Sequence, residues 1–225
     1  MDNKQKVVSN LIWRFMERFG SQLVAMVVQI ILARMLDPAV FGTVAKVTII
    51  TTILLVFVDS GMANSLIQKK DPDDLDFSSV FYFNMAFCLV LYAGLFAAAP
   101  AIARFYDDAQ LTAIVRVLGL TVVVAGVKNV QQAYVSKTLQ FKRFFFATLG
   151  GTLLSAAVGI VMVFCGFGVW AIVAQQLTNV TVNTAILWLT VGWRPKRMFS
   201  FERLKGLLGY GWKLLVSGLL DTVYN

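Results

Sequence analysis

Charged and amide side chains recur on one side of the first apolar stretch of the chain. On a helix with about 100° per residue they fall within an arc of roughly 140°. The members of this polar arc are Arg14, Glu17, Arg18, Ser21, Gln22 and Gln29. The opposite side is apolar and carries Leu23, Met26 and Val27. Two cations on one face favour contact with an anionic group.

Two more charged residues, Asp59 and Lys128, lie inside other apolar stretches at a matching depth. Each is about nine residues from the end of its stretch, or roughly 13 Å at 1.5 Å per residue. Together with Arg14 and Arg18 they are predicted to form one polar layer. Gln131, with Gln132 beside it, is predicted to extend this layer.

Two interpretations of the polar layer stay open. A charge at mid-membrane costs on the order of 2.5–3.5 kcal/mol, so such residues face a bundle interior or an aqueous cavity. Asp59 can pair with Arg18 or Lys128 to hold helices in register, while Arg14 extends to the headgroups. Alternatively, the layer lines a vestibule with excess positive charge that is suited to an anionic headgroup.

The elements that position these residues are long apolar stretches. Of the 225 residues, 58% are apolar and 14% charged, whereas a soluble domain carries roughly 25% charged residues. Each stretch approaches the roughly 20 residues that cross a bilayer as a helix, and a backbone in lipid must satisfy its own hydrogen bonds. The sequence predicts an all-α, polytopic transmembrane bundle with six complete spans and the start of a seventh near Leu207. The predicted spans are Leu11–Leu36, Phe41–Ile67, Phe77–Ile102, Leu111–Tyr134, Phe144–Phe164 and Trp170–Val191.

Lys and Arg residues alternate in abundance between successive loops. They concentrate in the N-terminal segment and in the loops after the second, fourth and sixth spans, whereas the other loops hold only Arg104. The positive-inside rule then predicts a cytoplasmic N-terminus. We expect no removable signal peptide, because Arg14, Glu17 and Arg18 interrupt the first stretch. The net charge of +8 is expected to contact anionic lipid headgroups and not nucleic acid.

The remaining polar clusters favour structural roles. Aspartates around Pro72 are expected to cap the third span; they are Asp71, Asp73, Asp74 and Asp76. Amides on the sixth span are expected to bond a neighbouring helix; they are Gln176, Asn179 and Asn183. Trp193 is expected at the membrane interface. With no histidine and only Cys88 and Cys165, we predict neither a metal site, nor a cofactor, nor a disulfide.

Motifs of known enzymes are absent from the sequence. There is no GxxxxGK[ST] loop, no HExxH and no GxSxG. The carboxylates within the spans are isolated, so a general acid–base pair is not indicated. The sequence therefore predicts movement of a solute across the membrane and no enzymatic activity.

Several short motifs occur in an order and spacing that suggest a family. They are Leu32–Pro38 with Phe41–Gly42; Gly61, Ala63 and Leu66–Gln68; Ala99–Pro100 with Ala103–Tyr106; Phe141–Arg143; Gly166–Ala171; and Trp193–Pro195. Across essentially the whole chain this pattern resembles the bacterial polysaccharide transporters, or lipid-linked oligosaccharide flippases. These form a branch of the multidrug/oligosaccharidyl-lipid/polysaccharide exporter superfamily, and the colanic-acid-exporter type is the most similar.

The resemblance implies two six-helix lobes that rock around a central cavity. The cargo would be a polyprenyl-pyrophosphate-linked oligosaccharide, moved from the cytoplasmic to the outer leaflet of the bacterial inner membrane for envelope polysaccharide synthesis. Arg14 and Arg18 would hold the pyrophosphate, Gln22 and Gln29 would contact sugars, and Lys128 would line the cavity. The polysaccharide polymerase and glycosyltransferases of the same biosynthesis are possible partners.

The chain is about half as long as the members of this family. We expect residues 1–206 to form the N-terminal lobe and residues 207–225 to begin the seventh span, with the second lobe missing. Two alternatives stay open. A drug or small-cation antiporter lobe of the same superfamily would need central carboxylates, and a scaffold of a glycan pathway would not respond to neutralising Arg14, Arg18 and Lys128.

Overall fold

The computed structural model describes the backbone of residues 3–60 and 62–224. Side chains are described at residues 12–58 and 63–207, and at positions 209, 211, 216, 217 and 220. Within this part of the chain there are eight helices and no strand. They are α1 (Asn3–Met35), α2 (Pro38–Ser60), α3 (Met62–Gln68), α4 (Asp74–Phe105), α5 (Gln110–Lys137), α6 (Phe141–Phe164), α7 (Val169–Thr190) and α8 (Phe201–Tyr224). The predicted all-helical transmembrane fold is confirmed.

Five helical segments of the described chain are long and apolar enough to cross a membrane. They are Ile12–Met35, Pro38–Gln68, Asp74–Phe105, Gln110–Lys137 and Phe141–Phe164. The sixth predicted span corresponds to α7, which has 22 residues and no charged side chain. Its amides, including Gln176 and Asn179, lower its hydropathy. The total of six complete spans therefore stays a prediction.

The start of α8 differs from the expected start of the seventh span. We placed that start near Leu207, whereas α8 begins at Phe201. The first five residues include Glu202, Arg203 and Lys205, so this part is helical without being apolar. Ser200 precedes it, and its hydroxyl accepts a hydrogen bond from the Arg203 N–H at 3.4 Å. An apolar stretch therefore marks only the later part of this helix.

Tight turns connect the helices at residues suited to them. Asp37 accepts a hydrogen bond from the Ala39 N–H at 2.8 Å, and Pro38 occupies the first position of α2. Gly166 and Gly168 have φ angles of +79° and +54°, which glycine adopts without steric cost. These two glycines allow the tight turn between α6 and α7.

The chain divides into two compact units. The first comprises Met1–Lys46 and Thr138–Val191, and in it α6 packs between α1 and α7. Its buried core residues are Val28, Leu32, Ala156, Val163 and Ala171. At Gly151 a side chain would lie 3.0 Å from the Asn179 carbonyl oxygen, so the glycine allows α6 and α7 to approach closely.

The second unit comprises Val47–Lys137 and Gly192–Asn225. Here α4 packs against α5, and the short α3 contacts α4, α5 and α8. Val58, Cys88, Val122 and Ala125 form a buried cluster. A Cβ on Gly126 would lie 2.6 Å from the Cys88 sulfur, and the Gly126 carbonyl accepts a hydrogen bond from Asn84 at 3.2 Å. Small side chains therefore set the spacing of α4 and α5.

Candidate functional site

The polar arc of α1 is divided by its contacts with α6. Arg14 pairs with Glu17, with 3.0 Å between Nη1 and Oε2. Thr148 of α6 donates a hydrogen bond to the other carboxylate oxygen of Glu17 at 3.2 Å. The Arg14 guanidinium also lies 5.0 Å from the ring centroids of Phe141 and Phe144. Arg14, one of the two arginines that are predicted to hold the pyrophosphate, therefore helps to pack α1 on α6.

The other half of the polar arc is exposed. Arg18, Gln22 and Gln29 are all exposed on α1. At about 100° per residue these three positions fall within roughly 40° of one another. We call them the exposed stripe. Because the packed side of α1 carries Val28 and Leu32, the exposed stripe is the part of the predicted site that remains open to a ligand.

The predicted polar layer draws on both units, and it stays a prediction. Lys128 is half-buried on α5 in the second unit. The side chain of Asp59, also in the second unit, lies outside the described residues. Gln131 is fully buried and donates a hydrogen bond to the Trp193 carbonyl at 3.1 Å, so its side chain is not open to a ligand.

In the second unit, three aspartates at the start of α4 form a cluster. We call Asp73, Asp74 and Asp76 the α4 carboxylate cluster. Asp73 is the N-cap residue: its carboxylate accepts the Asp76 N–H at 2.9 Å, and the Asp76 carboxylate accepts the Asp73 N–H at 3.1 Å. This is the reciprocal capping box that stabilises helix N-termini. The hydrogen bond from the Asp76 backbone holds the pKa of the Asp73 carboxyl below its ordinary value. The predicted capping role is confirmed.

Cations from three other segments neutralise the α4 carboxylate cluster. Asp76 is fully buried and lies 2.6 Å from the Lys69 ammonium. Arg203 of α8 lies 3.2 Å from Asp73 and 3.5 Å from Asp76, and Lys196 pairs with Asp74. The cluster therefore joins the start of α4 to the segment that precedes it, to the segment between α7 and α8, and to α8.

The segment between α7 and α8 is also tied to α4. Trp193 donates its indole N–H to Asp74 at 3.1 Å, and its ring lies 5.6 Å from Phe77. Further along, Ser78 and Ser79 accept backbone N–H groups from Lys196 and Ser200. Trp193 is 6% exposed, so its ring packs within the second unit, and its level at the membrane interface stays a prediction. These contacts join residues that are far apart in the sequence, so they could not be predicted from it. The one available signal was that acidic residues precede α4 while basic residues fill the loop after α7.

At the end of the first unit where α6 begins, α1, α6 and α7 enclose an open cleft of about 600 Å³. We call it the basic cleft, and it is lined by Trp13, Leu139, Gln140, Phe141, Lys142, Arg143, Phe146 and Thr190. The Lys142 ammonium lies 5.5 Å from the Trp13 ring centroid and 5.9 Å from that of Phe146. Arg143 donates a hydrogen bond to the Thr190 carbonyl. The sequence marked Lys142 and Arg143 as part of a family motif and as loop cations, and it gave no sign of the cleft.

The amides of α7 bond the neighbouring helix as expected. Asn179 donates a hydrogen bond to the Ser155 hydroxyl of α6 at 3.2 Å. Asn183 is 8% exposed and lies against Gly151. The prediction that these amides hold helices together is confirmed for Asn179.

A helical bundle with several membrane-length segments and polar side chains on its α1 face defines a multi-pass membrane protein. A family model described as "Polysaccharide biosynthesis protein" matches residues 31–225. The chain belongs to this family. The family resemblance drawn from the sequence motifs is confirmed.

Curated relatives agree with this assignment at low identity. The chain is 23% identical over 221 residues to the succinoglycan biosynthesis transport protein ExoT of Rhizobium meliloti, covering 98% of the chain and 45% of ExoT. It is 22% identical over 229 residues to the lipopolysaccharide biosynthesis protein WzxC of Escherichia coli, covering 98% and 45%. With the teichuronic acid biosynthesis protein TuaB of Bacillus subtilis it shares 23% identity over 175 residues, covering 77% and 36%.

The chain spans less than half the length of these curated relatives. No solved structure matches it significantly. The relatives include a transport protein by name, and none of the three names describes an enzymatic reaction.

Proposed function

We propose that the chain is the N-terminal lobe of a flippase for lipid-linked polysaccharide repeat units. Residues 1–206 would form this lobe, and residues 207–225 would begin the second. The complete transporter would move a polyprenyl-pyrophosphate-linked oligosaccharide from the cytoplasmic to the outer leaflet. It would act in the bacterial inner membrane, beside the glycosyltransferases and polymerase that make and use the unit.

The exposed stripe is the observation that carries this proposal. An arginine facing hydrocarbon costs on the order of 2.5–3.5 kcal/mol at mid-membrane, so Arg18 needs water or an anion beside it. Its neighbours Gln22 and Gln29 are exposed and supply donors and acceptors of the kind that sugar hydroxyls bond. A family named for polysaccharide biosynthesis supports a ligand that carries sugars. The positive charge of Arg18 supports an anionic group such as a pyrophosphate beside them.

The roles of the predicted site residues are not equal under this proposal. Arg18 would bind the pyrophosphate directly, with Gln22 and Gln29 against the sugars. Arg14 would hold α1 on α6 through Glu17 and keep Arg18 in place. Lys128 and Asp59 would line the cavity of the complete transporter.

Binding of the lipid-linked glycan by the purified chain tests the proposal without requiring a second lobe. We expect Arg18→Ala to weaken binding about tenfold, the equivalent of roughly 1.4 kcal/mol. Gln22→Ala with Gln29→Ala should weaken binding of the glycan more than binding of bare polyprenyl pyrophosphate. Leu23→Ala, which also removes an exposed side chain of α1, is the matched control.

Two results would overturn the proposal in different ways. Equal affinity of the wild type and Arg18→Ala would favour a scaffold role for the chain. Binding of organic cations in place of the glycan, lost on Glu17→Gln, would favour the antiporter alternative. A transport assay in liposomes with the full-length homologous carrier, bearing the equivalent changes, extends the test to flipping.

The free cysteines allow a test of the proposed orientation. Cys165 is exposed in the turn between α6 and α7, whereas Cys88 is buried. With a cytoplasmic N-terminus, a membrane-impermeant maleimide should label Cys165 in intact cells and should not label Cys165→Ser. A cysteine at the exposed position Lys70, added to Cys165→Ser, should react only after permeabilisation. The reverse pattern would invert the topology.

A further inference from the structure

The basic cleft contains cations with no acidic partner within it. Among the described residues that line it, two are basic and none is acidic. Lys142 is exposed and contacts aromatic rings, while Arg143 donates one N–H to the Thr190 carbonyl. The remaining guanidinium donors of Arg143 and the ammonium of Lys142 are suited to a phosphate, which both residue types bind strongly.

The backbone of α6 adds to the positive potential of the cleft. A helix N-terminus carries a partial positive charge and favours anions. The first turn of α6 has no acidic residue, and Gln140 makes no side-chain capping hydrogen bond. The partial charge of this terminus adds to the full positive charges of Lys142 and Arg143, which are the main source of the potential in the cleft.

Apolar side chains of the cleft indicate which phosphate compound would fit. Leu139 is 56% exposed and Phe146 is 49% exposed, so a ligand there would meet hydrocarbon as well as charge. A volume of about 600 Å³ lies within the usual range of roughly 300–1,000 Å³ for small-ligand sites. A lipid with a phosphate headgroup has this combination of chemistry, whereas a soluble anion does not.

Helix length indicates that the cleft lies at the level of the lipid headgroups. It lies where α6 begins and α7 ends, and each of these helices is long enough to cross the hydrocarbon core. Basic residues at such a level attract anionic lipids by about 1 kcal/mol each. We propose that the basic cleft is a binding site for the phosphate headgroup of an anionic phospholipid of the surrounding bilayer, held by Lys142 and Arg143.

Native mass spectrometry of the full chain with phosphatidylglycerol and phosphatidylcholine tests this site. We expect the wild type to retain phosphatidylglycerol selectively during delipidation. The double variant K142Q/R143Q should bind it about tenfold to thirtyfold less tightly, the loss expected for two cations beside an anionic lipid. The variant K142R/R143K keeps both charges and should retain binding, which separates loss of the site from loss of the fold.

The matched control is K70Q/K205Q, which removes two exposed cations outside the cleft. An equal loss of binding in this control would reduce the effect to net charge and overturn the proposal. Unchanged binding in K142Q/R143Q would overturn it as well. Polyprenyl pyrophosphate is the third probe: if K142Q/R143Q lost only this ligand and kept phosphatidylglycerol, the cleft would belong to the lipid-linked cargo instead.

Discussion

Two membrane helices of this protein, α4 and α6, begin in opposite ways. At α4 the N-terminal positive charge meets Asp73, Asp74 and Asp76, and a capping box closes the first turn. At α6 the N-cap residue makes no side-chain cap, and the first turn carries Lys142 and Arg143. Acidic groups favour a helix start and basic groups disfavour it, each by about 0.3–1 kcal/mol. The start of α4 therefore has the favourable charges, and the start of α6 has the unfavourable ones.

This difference separates a structural cluster from a binding surface. In the α4 carboxylate cluster each carboxylate has a basic partner, so the cluster is neutralised within the protein. At the start of α6, Lys142 is exposed and Arg143 is half-buried beside an open cleft, and the proposed anion would come from outside the protein. Sequences that specify a fold are consistent across levels, and departures from local rules concentrate at functional sites. The four changes below test this contrast from the largest expected effect to the smallest.

Asp76→Asn should produce the largest loss of stability. Asp76 is fully buried and binds Lys69 at 2.6 Å, and removing one partner of a buried pair costs on the order of 3–5 kcal/mol. Because Lys69 and Arg203 are partly exposed, we expect a loss of about 3 kcal/mol. Denaturation in detergent, followed by tryptophan fluorescence, measures it. The control is Asp71→Asn at an exposed position beside the cluster, and equal stability of the two variants would refute a structural role for Asp76.

Asp73→Ala should have a smaller effect that depends on pH. Loss of an N-cap side chain costs about 1 kcal/mol. The Asp76 backbone N–H lowers the pKa of Asp73 below 3.8, so the stabilisation is complete above that pH and is lost as the pH falls through the lower value. The gap between wild type and Asp73→Ala should therefore be widest at neutral pH and shrink below pH 3.8. A gap that stayed constant in acid would contradict the assignment.

Much of this contrast could be predicted from the sequence, because it depends on residues that are close together in the chain. Apolar length marked the spans, and the aspartates around Pro72 indicated a cap because capping partners lie three residues apart. The burial of Trp193 could not be predicted, since its partners Asp74 and Phe77 are more than a hundred positions away. Helical periodicity placed Arg14 and Arg18 on one side of α1. It did not predict which part of that side would pack against α6. The roles of Asp59 and Lys128 stay predictions.

Leu139→Asn should stabilise the start of α6 slightly. Leu139 precedes this helix with a φ of +54°, a left-handed conformation that costs a residue with a Cβ about 1–2 kcal/mol and that asparagine tolerates better. We expect a gain of about 0.5–1 kcal/mol in the free energy of unfolding. Leu139→Ala keeps the steric penalty and is the control, so a similar gain in both variants would attribute the effect to the lost apolar side chain.

Lys142→Gln should leave stability almost unchanged, and this small effect is informative. The change removes a cation from the positive end of α6, which is favourable, and it removes exposed cation–π contacts with Trp13 and Phe146, which are worth about 0.5–1 kcal/mol. The two contributions oppose each other, so we expect a net change within about 0.5 kcal/mol in the same denaturation assay. A loss comparable to that of Asp76→Asn would mean that the α6 cations serve the fold. A change in the free energy of unfolding close to zero would mean that stability does not explain a lysine at this position. An acidic residue at the start of α6 would stabilise the helix more, so the lysine would then serve the binding of an anionic ligand.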